Sequence, residues 1–149
     1  MLPSEAREEL LSQHAELRRL LSLAATLAGQ VLADAAAGTP SPSDLPELHR
    51  LLARLQSALS DHNKSEESLL EPMLRDADAW GPQRVARMVE EHKGEHSAFR
   101  KALEGEDLDV AARLPELAEE LEAHMLAEER TFLSAGVLRD DCIVVESSS

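Results

Sequence analysis

One phrase occurs twice in this chain, as His62-Asn63-Lys64-Ser65-Glu66-Glu67-Ser68-Leu69-Leu70 and as His124-Met125-Leu126-Ala127-Glu128-Glu129-Arg130-Thr131-Phe132. Both copies follow H-x-x-x-E-E-x-x-[LF]. Residues four apart on an α-helix lie one above the other, about 5–6 Å apart at Cβ. Each copy therefore aims an imidazole and a carboxylate at a single point. Both sit inside leucine-rich helical patterns, which places that point in the protein interior. A buried polar group without a partner costs about 1–3 kcal/mol, and an unpaired charge costs more. The fold has to supply compensation, and a metal cluster is the obvious form for it.

The remaining pattern divides into four helices. Helix 1 is expected from Ser4, after Pro3, with Leu10, Leu17, Leu21, Ala24, Leu27 and Val31 on its apolar face and Gly38 as its stop. Thr39-Pro40-Ser41-Pro42-Ser43 is a loop. Asp44 is expected to cap helix 2, with Glu47 as its capping-box partner. Its apolar face runs Leu48, Leu52, Leu55, Leu59, Leu69 and Met73, and Pro72 is expected to loosen the last turn. Trp80-Gly81-Pro82 turns the chain into helix 3, whose stripe is Val85, Val89, His92, His96, Phe99 and Leu103. Gly105 ends it. Helix 4 opens at Asp107 or Asp109, or at Leu114 if Pro115 displaces the start. Its stripe is Leu117, Leu121, His124, Glu128 and Phe132, ending near Gly136.

Short connections between four helices imply an all-α, up-down-up-down antiparallel four-helix bundle over residues 1–136. Residues 137–149 form a C-terminal tail, either docked or disordered. Two Phe, one Trp and no Tyr leave too few aromatic residues for a sheet of any size.

Helix geometry tests whether the polar core residues meet. At about 1.5 Å per residue, His14, His62, His92, His96 and His124 all lie roughly 15–21 Å from one end of the bundle. Glu66 and Glu128 lie a turn nearer that end, but their side chains tilt back toward the histidines. All seven fall in one slab about two turns thick. His49 lies near the opposite end and is expected on the surface. Glu67 and Glu129 are turned about 100° from the paired glutamates, toward solvent or a neighbouring helix. A small helix distortion would bring Glu129 in place of Glu128.

Five imidazoles and two carboxylates exceed what one tetrahedral zinc takes and suit two ions. Imidazole favours Zn, Cu, Fe and Ni over Mg, Ca or Mn. Carboxylates from opposed helices can bridge a metal pair, with histidines completing each ion and one position open. Iron is the expected metal, with dioxygen, peroxide or nitric oxide as candidate ligands. Phe99 and Phe132 fall near this layer, either as walls of the open position or as ordinary core aromatics. The absence of Tyr excludes tyrosyl-radical chemistry.

The formal charge of −14 argues against nucleic acid and against an anionic membrane surface as partners. Cys142 is the sole cysteine, so no intramolecular disulfide or thiolate metal site is expected. No stretch reads as a signal sequence or a membrane span, and the expected location is cytoplasmic.

Taken together, His14, His62-x-x-x-Glu66, His92-x-x-x-His96 and His124-x-x-x-Glu128, one set per helix, resemble the hemerythrin family, specifically its bacterial HHE cation-binding branch. The likeness covers roughly residues 4–136, and Glu-Glu-x-x-Leu-x-Pro at Glu66–Pro72 is similar to that branch as well. The resemblance implies two non-haem iron ions bridged by Glu66 and Glu128. It assigns His14 and His62 to one iron, and His92, His96 and His124 to the other, although some relatives use one histidine on helix 3. Oxygen-carrying members have His-x-x-x-x-Asp on the last helix, whereas this chain has His-x-x-x-Glu, as in relatives linked to iron sensing, stress and iron-centre repair.

The leading expectation is thus a di-iron protein binding a small diatomic or peroxide in a sensing, stress-response or iron-handling role. The alternatives are a di-iron enzyme consuming peroxide or nitric oxide, and a helical interaction module with a structural metal. Cys142 and the Val-rich tail favour the last, with no particular protein partner implied.

Overall fold

The computed structural model describes residues 1–141; Cys142 and the Ile143-Val144-Val145 part of the tail patch lie outside the described residues. Four helices carry the chain: α1 Pro3–Ala36, α2 Asp44–Ala77, α3 Gly81–Ala102 and α4 Asp107–Arg130. α1 packs on α2 and α4, α2 on α3, and α3 meets α4 more sparsely.

The core shows the direction of each helix. One apolar cluster gathers Leu17 to Val31 of α1, Leu48 to Leu59 of α2, Phe99 of α3 and Val110 to Met125 of α4. A second gathers Ala6 and Leu10 of α1, Leu70 and Leu74 of α2, Val85 and Met88 of α3, and Phe132, Leu133 and Leu138 beyond α4. Each helix runs between the clusters in the sense opposite to its predecessor. The result is an antiparallel four-helix bundle, as the short connections imply. Between the clusters lies a belt of buried polar residues: His14, His62, Asn63, Glu66, His92, Glu95 and Glu128.

Helix ends follow local chemistry. Pro3 opens α1, where its missing N–H leaves no bond unmade, and the Glu5 carboxylate accepts the Leu2 backbone N–H at 2.7 Å. Gly38, at φ +72°, turns the chain out of α1 in the left-handed conformation that glycine adopts freely. Between α2 and α3, Gly81 leaves no room for a side chain: a Cβ there would run into the carbonyl oxygens of Leu74 and Arg75.

Two expectations about helix ends need correction, and the start of α4 falls at the first of the expected positions. Asp44 does not cap α2 but is its first residue, following Ser43, and no side chain bonds across that end. Glu47 pairs instead with Arg50 at 2.7 Å. Pro115 does not delay α4, which begins at Asp107 and carries the proline on its exposed side. Burial of Val110, Ala111, Leu114 and Leu117 outweighs the roughly 3 kcal/mol of an interior proline. Finally, α4 stops at Arg130 rather than near Gly136. There the Leu133 N–H reaches back to the Glu128 carbonyl at 2.9 Å, and the Thr131 hydroxyl donates to the Ala127 carbonyl at 2.7 Å. This tight turn folds Phe132 and Leu133 into the second cluster. The chain beyond it stays against α1, because Asp140 accepts hydrogen bonds from the Ser4 backbone N–H at 2.9 Å and hydroxyl at 2.8 Å.

Candidate metal centre

The polar belt is built from one to three residues per helix, on buried stripes otherwise filled by apolar side chains. His14 continues the Ala6–Leu10 stripe of α1, and His62 and Glu66 continue the Leu55–Leu59 stripe of α2. On α3 the buried stripe is Val85, Met88, His92, Glu95 and Phe99, and on α4 Glu128 follows Leu121 and Met125.

His14, His62, Glu66 and Glu128 each offer one ligand atom, all within 4.8 Å of one another and all buried. His14 Nε2 lies 3.1 Å from His62 Nε2, 3.4 Å from Glu128 Oε2 and 3.8 Å from Glu66 Oε2. His62 Nε2 lies 2.9 Å from Glu66 Oε2. His92 joins from α3, its Nε2 at 2.9 Å from the other carboxylate oxygen, Glu66 Oε1. Glu66 thus faces His62 with one oxygen and His92 with the other.

The outer ring nitrogens of all three histidines are engaged. His14 Nδ1 meets Glu129 Oε2 at 2.7 Å, His62 Nδ1 meets Gln13 Oε1 at 2.7 Å, and His92 Nδ1 meets Glu67 Oε1 at 2.9 Å. Each of these oxygens is an acceptor, so each Nδ1 carries the proton and each Nε2 of a neutral ring turns a lone pair inward. Glu129 is itself held by Arg18, whose Nη2 donates at 2.9 Å. Histidines oriented through the outer nitrogen by a carboxylate or carbonyl are the usual support of a metal ligand set.

The inner face of the belt therefore consists of atoms that accept and do not donate. Two imidazole lone pairs stand 3.1 Å apart beside two carboxylates. Glu66 Oε2 and Glu128 Oε2 have no hydrogen-bond partner despite complete burial; the 2.9 Å approach of His62 to Glu66 is not aligned as one. Such an arrangement is repulsive unless protons or cations occupy its centre. In the metal-free protein, protons fill that role. Burial alone would lower the His62 pKa, but the adjacent Glu128 and Glu66 carboxylates outweigh it and push it up to about 9. The same opposition, led by burial and overcome by Glu66, raises His92 to about 9. Glu66 goes far the other way: burial raises its pKa, but His62 and His92 together hold it well below the usual carboxylate range. The donor set and its orphaned oxygens fit divalent cations.

Of the residues expected from sequence, the structure brings His14, His62, Glu66, His92 and Glu128 together. It does not bring His96 or His124 into this group: both are half-buried and make no hydrogen bond or ion pair among the described residues. His49 is exposed and pairs with Asp107 at 2.9 Å. Glu67 and Glu129 turn toward a neighbouring helix, as expected, with Glu129 orienting His14 rather than replacing Glu128; Gln13, which orients His62, and Glu95, buried one turn from His92, are not marked by the sequence pattern. The signal for Glu67 and Glu129 was the doubled glutamate itself: the second of each pair turns to a histidine on a neighbouring helix. A pocket of about 180 Å³ between α1 and α2 is lined by Gln13, Leu17, Asp61 and Ser65 and touches His62.

No helix among the described residues is long and apolar enough to cross a membrane. No curated protein and no solved structure matches the chain. The family model described as the hemerythrin HHE cation binding domain matches residues 5–135, spanning all four helices and every residue of the polar belt. This chain belongs to the hemerythrin family, as a hemerythrin HHE cation-binding domain with a buried cluster of histidines and glutamates that could hold a metal ion.

Proposed function

We propose that the domain holds two non-haem iron ions in the polar belt and presents them to a small ligand (dioxygen, peroxide or nitric oxide) in a sensing, stress-response or iron-handling role. The observation that carries this reading is the inward set of acceptors: the Nε2 atoms of His14 and His62 with unpartnered oxygens of Glu66 and Glu128. His14 and His62 would serve one ion and His92 the other, with Glu66 shared between them. Bound iron would supply one-electron chemistry and an exchangeable position for the small ligand.

The surroundings suit a binder. Apolar clusters close the belt above and below, which limits water. The pocket beside His62 offers small molecules an approach between α1 and α2. Glu67, Gln13 and Glu129 fix the rings before any ion arrives, so little ordering remains to be done on binding. Imidazole and carboxylate together suit iron, and the absence of thiolate from the belt disfavours softer ions.

Metal analysis of protein purified without added metal, followed by anaerobic exposure to nitric oxide, tests the proposal. The expected result is about two irons per chain, near-ultraviolet absorption in the ferric form, and a new absorption band on adding nitric oxide to the ferrous form. Protein that excludes iron while taking up another metal would refute the iron assignment. Iron-loaded protein whose spectrum ignores nitric oxide, peroxide and dioxygen would refute the open position.

A further inference from the structure

Glu95 is the buried titratable group in the belt that the ligand set above leaves unused. It lies on α3 one turn beyond His92, on the same inward stripe, with only 6% of its surface exposed. It makes no hydrogen bond or ion pair among the described residues, and its Oε2 is fully enclosed without a partner. A carboxylate in that state is costly, and among the described residues no lysine, arginine or backbone N–H is bonded to it. The charges of Glu128, His92, Glu66 and His62, four other members of the belt, act on it. His96, on the next position of the same helix, is half-buried and lies off that stripe.

We propose that Glu95 is a metal ligand, completing the second ion beside His92 and Glu66 in the place that histidine spacing assigns to His96. This rests on the cation-binding reading of the belt and deepens it. Three carboxylates, Glu66, Glu95 and Glu128, are buried in one belt with the imidazoles of His14, His62 and His92. A pair of divalent cations balances that excess of acid, whereas the side chains alone must recruit protons: burial, with Glu128 adding to it, raises Glu95 to about 7. The two ions would also differ in character. One meets two imidazoles with the shared carboxylates, and the other meets one imidazole with an additional oxygen ligand. The second is the harder site, better suited to ferrous iron or manganese than to copper or zinc.

Anaerobic titration of the full chain with Fe(II), read by calorimetry and by iron content after desalting, tests the assignment in Glu95→Gln, His96→Ala and the unaltered protein. The unaltered protein is expected to take two ions. Glu95→Gln should retain the first and bind the second at least about tenfold more weakly, as expected when a metal's support is lost. His96→Ala should match the unaltered protein, and circular dichroism should show the same helix content in all three. Two ions bound by Glu95→Gln with unaltered affinity would overturn the proposal, as would loss of an ion in His96→Ala, or a single ion in the unaltered protein. If the unaltered protein bound no Fe(II) or other divalent ion, the cation reading itself would fail rather than the role of Glu95 within it.

Discussion

Glu66→Ala is expected to abolish stable metal binding while leaving the bundle folded. Glu66 is the member of the belt that reaches both halves: its Oε2 lies 2.9 Å from His62 Nε2 and its Oε1 lies 2.9 Å from His92 Nε2. It lies 3.8 Å from His14 as well. Losing an outer partner of a metal ligand typically costs about 10–100-fold in affinity. Losing a shared inner carboxylate should exceed that range, so that no ion survives desalting. The fold should persist because the truncation falls between two intact apolar clusters, and the His92 ring, which loses its bond to Glu66 Oε1, is still held by Glu67. Glu66→Gln keeps the shape and one oxygen acceptor but not the charge, and should fall between the two. Unchanged metal content in Glu66→Ala, with circular dichroism confirming the fold, would remove Glu66 from the centre.

The second large effect is on stability against pH. His62 and His92 hold their protons more tightly in the folded apoprotein, at about 9, than at the ordinary value of 6.5. Their contribution to stability is therefore complete below pH 6.5 and is lost as the pH rises through 9. Glu95, raised from 4.5 to about 7, acts in the same direction over a lower window. Glu66 acts oppositely: its pKa is depressed, so its contribution is present above 4.5 and disappears in acid. Because the two histidines share Glu66, their joint loss between pH 6.5 and 9 is taken as about 3 kcal/mol. For a chain of this size that lowers Tm by about 6–12 °C. Metal competes with those same protons, so loading should strengthen as pH rises and flatten or reverse the decline. Thermal unfolding of apo and loaded protein at pH 6.5 and 9 checks this. Parallel curves for the two forms would contradict it.

Much of the architecture was legible because the helices are long and their leucines regular. Four spans, their antiparallel order and the height of the polar layer follow from periodicity and the rise of a helix. What periodicity left open was a choice of one residue. On α3, Val85, His92 and Phe99 belong to two possible stripes, one adding Val89 and His96, the other Met88 and Glu95. Apolar content and a second histidine pointed to the first; the structure buries the second. On α4 the same kind of step puts Met125 inside and leaves His124 half-buried. A residue type chosen for its chemistry is a weak guide to helix rotation, because the rotation is set by packing along the whole stripe. The orienting roles of Gln13, Glu67 and Glu129 depend on which helix sits beside which, and single-helix patterns do not contain that.

The most direct measurement is an anomalous difference map from crystals of the metal-loaded protein, collected above and below the iron absorption edge. Density between His14, His62, Glu66 and Glu128, with a second peak toward His92 and Glu95, is the predicted result. Iron located solely on the outer surface, with the interior belt empty in loaded crystals, would contradict the account.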